Sequence, residues 1–193
     1  MKKGILSIFV LVVIVVVLSV LPTTVCAERT SGECGSNLQW SYNEGTLTIT
    51  GSGDMFDNQF EINPIVPWEA LKETITTVNL PSGMTSIGYG AFAGCTNLTT
   101  VNGSEHVKYI GPFAFASCSK LQSICFGENL KGISYDAFSG CSSLTTLRLP
   151  KGTTWDIGSS TGLSALETVE TYGTFWVWNA TLQTQKSKEC RNN

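Results

Sequence analysis

The chain has 193 residues, 12 basic and 15 acidic side chains and one histidine, for a net charge of −3. Only 14% of residues are charged, with no basic excess to neutralise phosphates, which argues against nucleic acid or an anionic membrane surface as the partner. A single imidazole, His106, leaves nucleophilic catalysis without an assembled base and nucleophile.

The chain opens MKKGILSIFVLVVIVVVLSVLPTTVCAERT. Lys2 and Lys3 precede an apolar run from Gly4 to Leu21, Pro22 breaks it, and Val25-Cys26-Ala27 offers a small-residue cleavage site. Residues 1–27 therefore read as a signal peptide cut after Ala27, which places the protein outside the cytosol, secreted or at the cell surface. The run is also long enough to span a bilayer, so a membrane becomes a partner only if the segment stays uncleaved. Cleavage leaves 166 residues with 10 basic and 15 acidic side chains, a net charge of −5 and enough chain for one domain with a core.

Residues 28–74 read as an N-terminal cap. After a polar leader to about residue 36, Leu38, Trp40 and Tyr42 alternate, Asn43-Glu44-Gly45 supplies turn residues, and Leu47 and Ile49 alternate again, the pattern of a β-hairpin. In the GSGD stretch at 51–54 the glycines suit a turn, and no Gly-Lys-Ser/Thr follows to make a phosphate loop. Pro67 can begin a short helix, WEALKET, with Trp68 and Leu71 facing inward.

Residues 75–170 repeat. IGYGAFAGCTNLTTV (87–101), IGPFAFASCSKLQSI (110–124) and ISYDAFSGCSSLTTL (133–147) follow one another at a constant step of 23 residues. The step carries Ile87 to Ile110 and Ile133, Phe92 to Phe115 and Phe138, Cys95 to Cys118 and Cys141, and Leu98 to Leu121 and Leu144. A half-copy, ITTVNLP at 75–81, precedes them, and a worn copy with LETV at 166–169 and Ile157 in the isoleucine column follows. About five coils of a solenoid are expected, because no single coil can bury its apolar face alone. Alternation in Val78 and Leu80, or Leu147 and Leu149, marks a short strand in each coil, and these strands would pair in parallel. The I-G-x-x-A-F-x-x-C stretch would return the chain through a turn and a brief helical segment, with the Gly88, Gly111 and Ser134 column at a tight bend. Residues 171–193 read as a C-terminal cap strand, TFWVWNAT, and a polar tail.

The unit I-G-x-x-A-F-x-x-C-x-x-L-x-x-V/I/L resembles the BspA-type leucine-rich repeat, and the leader before it is similar to the N-terminal module of secreted bacterial members. The resemblance covers about residues 31–150. It implies a leucine-rich-repeat solenoid with a parallel sheet on one face, turns and short helical segments on the other, and a hairpin-plus-helix cap. It also implies an adhesion-like or ligand-binding role at the cell surface, without catalysis or a cofactor.

The best binding candidates are the outward strand positions: Thr77 and Asn79, Thr100 and Asn102, Ser123 and Cys125, Thr146 and Arg148, and Thr168 and Glu170. They form a Thr/Ser row beside a row of Asn, Asn, Cys, Arg and Glu that is too irregular for matching a crystal lattice such as ice. An extracellular protein or glycan is the expected partner; a solvated sheet favoured by β-branched threonine is the plain alternative. Trp176 and Trp178 form a second candidate, a platform for stacking sugars, set against a role in closing the last coil. Cys95, Cys118 and Cys141 are expected to be a buried column of small apolar side chains and not a metal site. Cys125, between inward Ile124 and Phe126, is expected to face outward and react readily, with Cys34 and Cys190 at opposite ends of the chain. Two rival functions remain. One is a hydrolase using Asp54, Asp57, Glu61, Glu69 or Glu73; the other is a structural, assembling repeat protein. Sequons occur at Asn97, Asn102 and Asn179 and matter only where secreted proteins are glycosylated.

Overall fold

The computed structural model describes residues 29–56, 66–150, 153–155, 163–166 and 168–171. The expected signal peptide, the Ile157 position and the tryptophan pair 176 and 178 lie outside the described residues.

The chain begins with an antiparallel meander, β1 (Ser31–Gly35), β2 (Leu38–Asn43) and β3 (Thr46–Asp54). The β2–β3 hairpin closes over Glu44 and Gly45, with Asn43 opposite Thr46 and both loop residues at positive φ (44° and 83°). That is the loop whose twist matches the strands it joins. The polar leader is a strand and not a free segment: Ser31 pairs with Ser41 and Gly32 with Trp40. The GSGD glycines are also strand residues, and Gly51 holds a φ of 103° where a Cβ would lie 1.9 Å from the Asn37 carbonyl oxygen.

β3 then serves two partners at once. Its first half pairs in parallel with β4 (Thr77–Asn79), and its second half pairs with β5 (Gly83–Ile87). From there two rows of strands run along the repeats. One row holds β4, β6 (Thr100–Asn102), β8 (Ser123–Cys125), β10 (Thr146–Leu149) and β12 (Thr168–Thr171). The other holds β5, β7 (Tyr109–Ile110), β9 (Gly132–Ile133) and β11 (Thr154–Trp155). Every pairing along both rows is parallel. The expected single sheet is therefore accompanied by a second one. At its far end Trp155, and not Ile157, stands opposite Ile133.

The first row is interrupted: β6 ladders with β4, while β8 ladders with β10, in separate sheets. The cause lies in the column of Leu80, Phe126 and Leu149, where the intervening coil has Gly103. Gly103 sits at φ 81°, and a Cβ there would come within 2.1 Å of the Leu80 carbonyl oxygen. The chain turns early into one 3-10 turn, Ser104–His106, and the buried Ser104 hydroxyl donates to the Cys125 carbonyl at 2.7 Å.

The expected helical segments are absent: no α-helix occurs among the described residues. WEALKET gives a single 3-10 turn, Glu69–Leu71, although Trp68 and Leu71 are buried as expected. On the return side of each coil the backbone donors at alternate residues go to the next coil. Phe92 N–H donates to Ala114 O (2.7 Å), Gly94 N–H to Ala116 O (2.8 Å) and Phe115 N–H to Ala137 O (2.8 Å). Donors used between coils cannot serve an α-helix. Two positions per coil sit at positive φ in register, Gly90, Phe113 and Asp136, then Gly94, Ser117 and Gly140. Gly88 and Gly111 have a different use. Each lets two chain segments touch, since a Cβ on Gly88 would sit 2.3 Å from the Phe56 carbonyl oxygen.

The core is a set of stacked columns. Phe92, Phe115 and Phe138 are fully buried and stacked, with centroids 5.3 and 5.5 Å apart. Trp68 continues the stack at 5.7 Å from Phe92, and Trp40 meets Trp68 edge-on at 5.7 Å. Trp68 is fixed further by its indole N–H donating to the Ala91 carbonyl at 2.8 Å. A column not singled out in the sequence, Met84, Val107, Leu130 and Thr153, is also buried.

Candidate functional site

The cysteine column is structural in its geometry. Cys95, Cys118 and Cys141 have no exposed surface. The Cys118 thiol donates to the Phe92 carbonyl at 3.2 Å, and the Cys141 thiol to the Phe115 carbonyl at 3.1 Å. Burial pushes the Cys95 and Cys34 thiols up to about 12. Hydrogen bonding with Cys141, followed by burial, holds Cys118 well above the ordinary thiol value. Among the described residues no cluster of three metal-ligating side chains exists.

Cys125 departs from expectation. It is half-buried and disulfide-bonded, while Cys34, Cys95, Cys118 and Cys141 are free thiols. Alternation placed it on the outward side, but position on a strand says nothing about covalent partners. Cys190 lies outside the described residues. An alkylating reagent added to the folded protein without reductant should accordingly modify none of these five cysteines at an appreciable rate. The four free thiols should become reactive on unfolding, and Cys125 only after reduction. Peptide mass mapping reads this directly, and rapid native labelling at Cys118 would contradict the burial.

The predicted face is assembled in part. Thr77 pairs with Thr100 and Asn79 with Asn102 in the β4–β6 ladder. The asparagines form a side-chain ladder: the Asn102 amide donates to Asn79 Oδ1 at 2.8 Å, and the Asn79 amide to Thr48 Oγ1 at 3.3 Å. Thr48 and Thr46 of β3 thus extend the face into the cap, a contribution the sequence reading missed. Its signal was available, because T-x-T at 46–48 shares the alternation of T-x-N at 77–79. The other half lies across the break. Ser123 pairs with Thr146, which pairs with Thr168, while Cys125, Arg148 and Glu170 align beside them. Thr100, Asn102 and Ser123 are exposed; Thr77, Asn79, Thr146 and Arg148 are half-buried.

Two of the five carboxylates proposed for hydrolysis, Asp54 and Glu69, are otherwise engaged. Asp54 accepts from the Thr85 hydroxyl, and hydrogen bonds from Thr85 and Ser86 lower its pKa from the ordinary carboxylate value. Glu69 pairs with Lys72 at 2.7 Å; Asp57 and Glu61 lie outside the described residues. The sequon amide of Asn97 is also in use, donating to the Glu73 carbonyl at 2.6 Å while its oxygen accepts from Lys120 at 2.6 Å.

A second surface, unforeseen in the sequence, lies on the β5–β7–β9–β11 sheet. Tyr109 and Tyr135 are 55% and 42% exposed, the most exposed large rings of the repeats among the described residues. Phe113 sits between Tyr89 and Tyr135, at centroid distances of 5.6 and 5.3 Å. A groove of about 520 Å³ runs between Tyr109 and Tyr135 over Gly132, Ser134 and Thr154. It continues past Gly111 towards Tyr89 in an adjoining space of about 340 Å³. These rings escaped notice because they do not share a column: Phe113 aligns with Gly90 and Asp136, one place beyond Tyr89 and Tyr135.

Comparison with known proteins follows the same lines. The profile of the BspA type Leucine rich repeat region matches residues 70–169 in six copies. A leucine-rich repeat protein from Eubacterium ventriosum is similar in structure, with a TM-score of 0.60 and 30% identity, over 73% of this chain and 43% of that one. Another from Bacteroides ovatus has a TM-score of 0.50 and 25% identity, over 60% of this chain and 31% of that one. The chain thus spans less than half the length of either relative. No curated protein matches it. With the repeat profile covering 100 of its 193 residues and the fold shared with solved leucine-rich repeat proteins, the chain belongs to the BspA-type leucine-rich repeat family.

Proposed function

We propose that this protein is a secreted or cell-surface binding module that recognises an extracellular protein or glycan without catalysis. The observation carrying this reading is the hydrogen-bonded ladder Thr48–Asn79–Asn102 beside the Thr46–Thr77–Thr100 row. Backbone pairing holds these polar groups in register, so little side-chain freedom is lost when a partner arrives. Family membership supports a surface role, and the positive-then-apolar start of the chain supports export.

The experiment is an array of host-matrix proteins and glycans, followed by titration of the strongest ligand against variants. Asn102→Ala combined with Arg148→Ala should weaken binding more than about tenfold, because central interface positions dominate affinity. The melting temperature should stay within a few degrees, since Asn102 is exposed and Arg148 half-buried. Unchanged affinity in a folded double variant would remove this face from recognition.

A further inference from the structure

We propose that the aromatic groove on the second sheet is a binding site for a neutral saccharide chain, separate from the threonine–asparagine face. The two walls are aromatic: the exposed Tyr109 ring on one side, and Tyr89 and Tyr135 on the other, with Phe113 packed between those two tyrosines. Its bed is small and polar. Gly132 occupies the outward strand position that Tyr109 fills on one neighbouring strand and Thr154 on the other. A Cβ on Gly132 would meet Thr154 Oγ1 at 3.2 Å and Tyr109 Cδ1 at 3.7 Å, so even one added carbon would begin to fill the groove.

The stack is more than the fold requires. Phe113 holds a φ of 55°, a conformation that bulky residues rarely adopt, and the aligned positions hold glycine (Gly90) in the preceding coil and aspartate (Asp136), a residue more tolerant of it, in the next. A glycine at 113 would satisfy the backbone and leave Tyr89 and Tyr135 without the ring packed between them. Strain retained at one residue that completes a surface points from geometry to binding.

The chemistry selects the ligand class. Among the described residues no charged side chain lines either part of the groove, which does not favour a phosphate or carboxylate. The polar groups are hydroxyls, those of the tyrosines with Ser86, Ser134 and Thr154. Rings that stack on apolar C–H faces, beside hydroxyls that both donate and accept, complement a pyranose ring. The groove's size falls in the range of ordinary ligand sites, and its length along three coils suits a chain better than a single sugar.

The test uses the mature full chain and fragments of neutral β-glucan, xylan, mannan and chitin as probes, with binding followed by calorimetry. At least one fragment class should bind saturably. Tyr109→Ala should weaken that binding about tenfold, the order of a lost ring stack. Gly132→Val should abolish it by filling the bed; its backbone is not at positive φ, so the change adds no backbone strain. Phe113→Gly should weaken binding while keeping the backbone conformation. Asn102→Ala should leave saccharide binding unchanged, which separates this site from the first face. No saturable binding to any fragment, or full affinity in a folded Tyr109→Ala protein, would overturn the proposal. Displacement of the groove's ligand only by proline-rich peptides would overturn it too, by reassigning the site to a protein partner.

Discussion

Phe115→Ala is expected to lower the unfolding free energy by about 3–5 kcal/mol, a large part of what a domain of this size possesses. Phe115 has no exposed surface and lies between Phe92 and Phe138, with ring centroids 5.3 and 5.5 Å away. Removing it takes the central ring from a continuous aromatic stack, and the neighbours cannot collapse inward. Each is held by its own coil, and the coil spacing is fixed by bonds such as Phe115 N–H to Ala137 O. The cavity therefore persists, and the larger end of the range applies. Urea denaturation of wild type and variant checks this. Equal midpoints would mean that the phenylalanine column does not carry the core.

The second large effect is alkaline. Cys34 and Cys95 ionise only near 12 in the folded protein and Cys118 well above 9.0, whereas the unfolded chain ionises near 9.0. Between those values the unfolded state has released protons that the folded state keeps, so unfolding gains from each rise in pH. The contribution of the buried thiols is complete below pH 9 and falls above it, by about 1.4 kcal/mol per pH unit for each thiol. Denaturation midpoints should be level from pH 7 to 8 and drop steeply towards pH 10.5. Lysines and tyrosines titrate there too, so the decisive comparison is Cys95→Ala with Cys118→Ala. That double variant should start less stable and lose stability less steeply; an unchanged slope would clear the thiols of responsibility.

The 23-residue step made the inward columns legible because a buried position in a stacked coil tolerates few residue types. Phe92, Cys95, Leu98 and their successors all proved buried. The second sheet was not legible, because β7 and β9 are two residues long and show no alternation. They are strands only through their neighbours in adjacent coils. The same holds for β1, whose SGECG sequence has one buried side chain, Cys34, outside any apolar period. The AF stretches read as helical by composition, but their donors go between coils, a choice made by stacking and not by propensity. On the candidate face, alternation found Thr77, Asn79, Thr100 and Asn102. The contribution of Thr48 and the disulfide at Cys125 depend on which chains meet in space.

The double pairing of β3 gives this molecule a direction of assembly. One nine-residue strand presents edges to both β4 and β5, so the first coil forms on a template that already exists. Along the β5–β7–β9–β11 row each later coil finds its template in the coil before it. A polypeptide delivered amino end first, as in synthesis or export, meets these templates in the order it needs them. The meander β1–β3 precedes every repeat in the chain, and in the first row only β8 waits for the coil after it. Removal of coils from the carboxyl end should leave the earlier ones competent to fold, whereas a break in β3 should cost both rows at once.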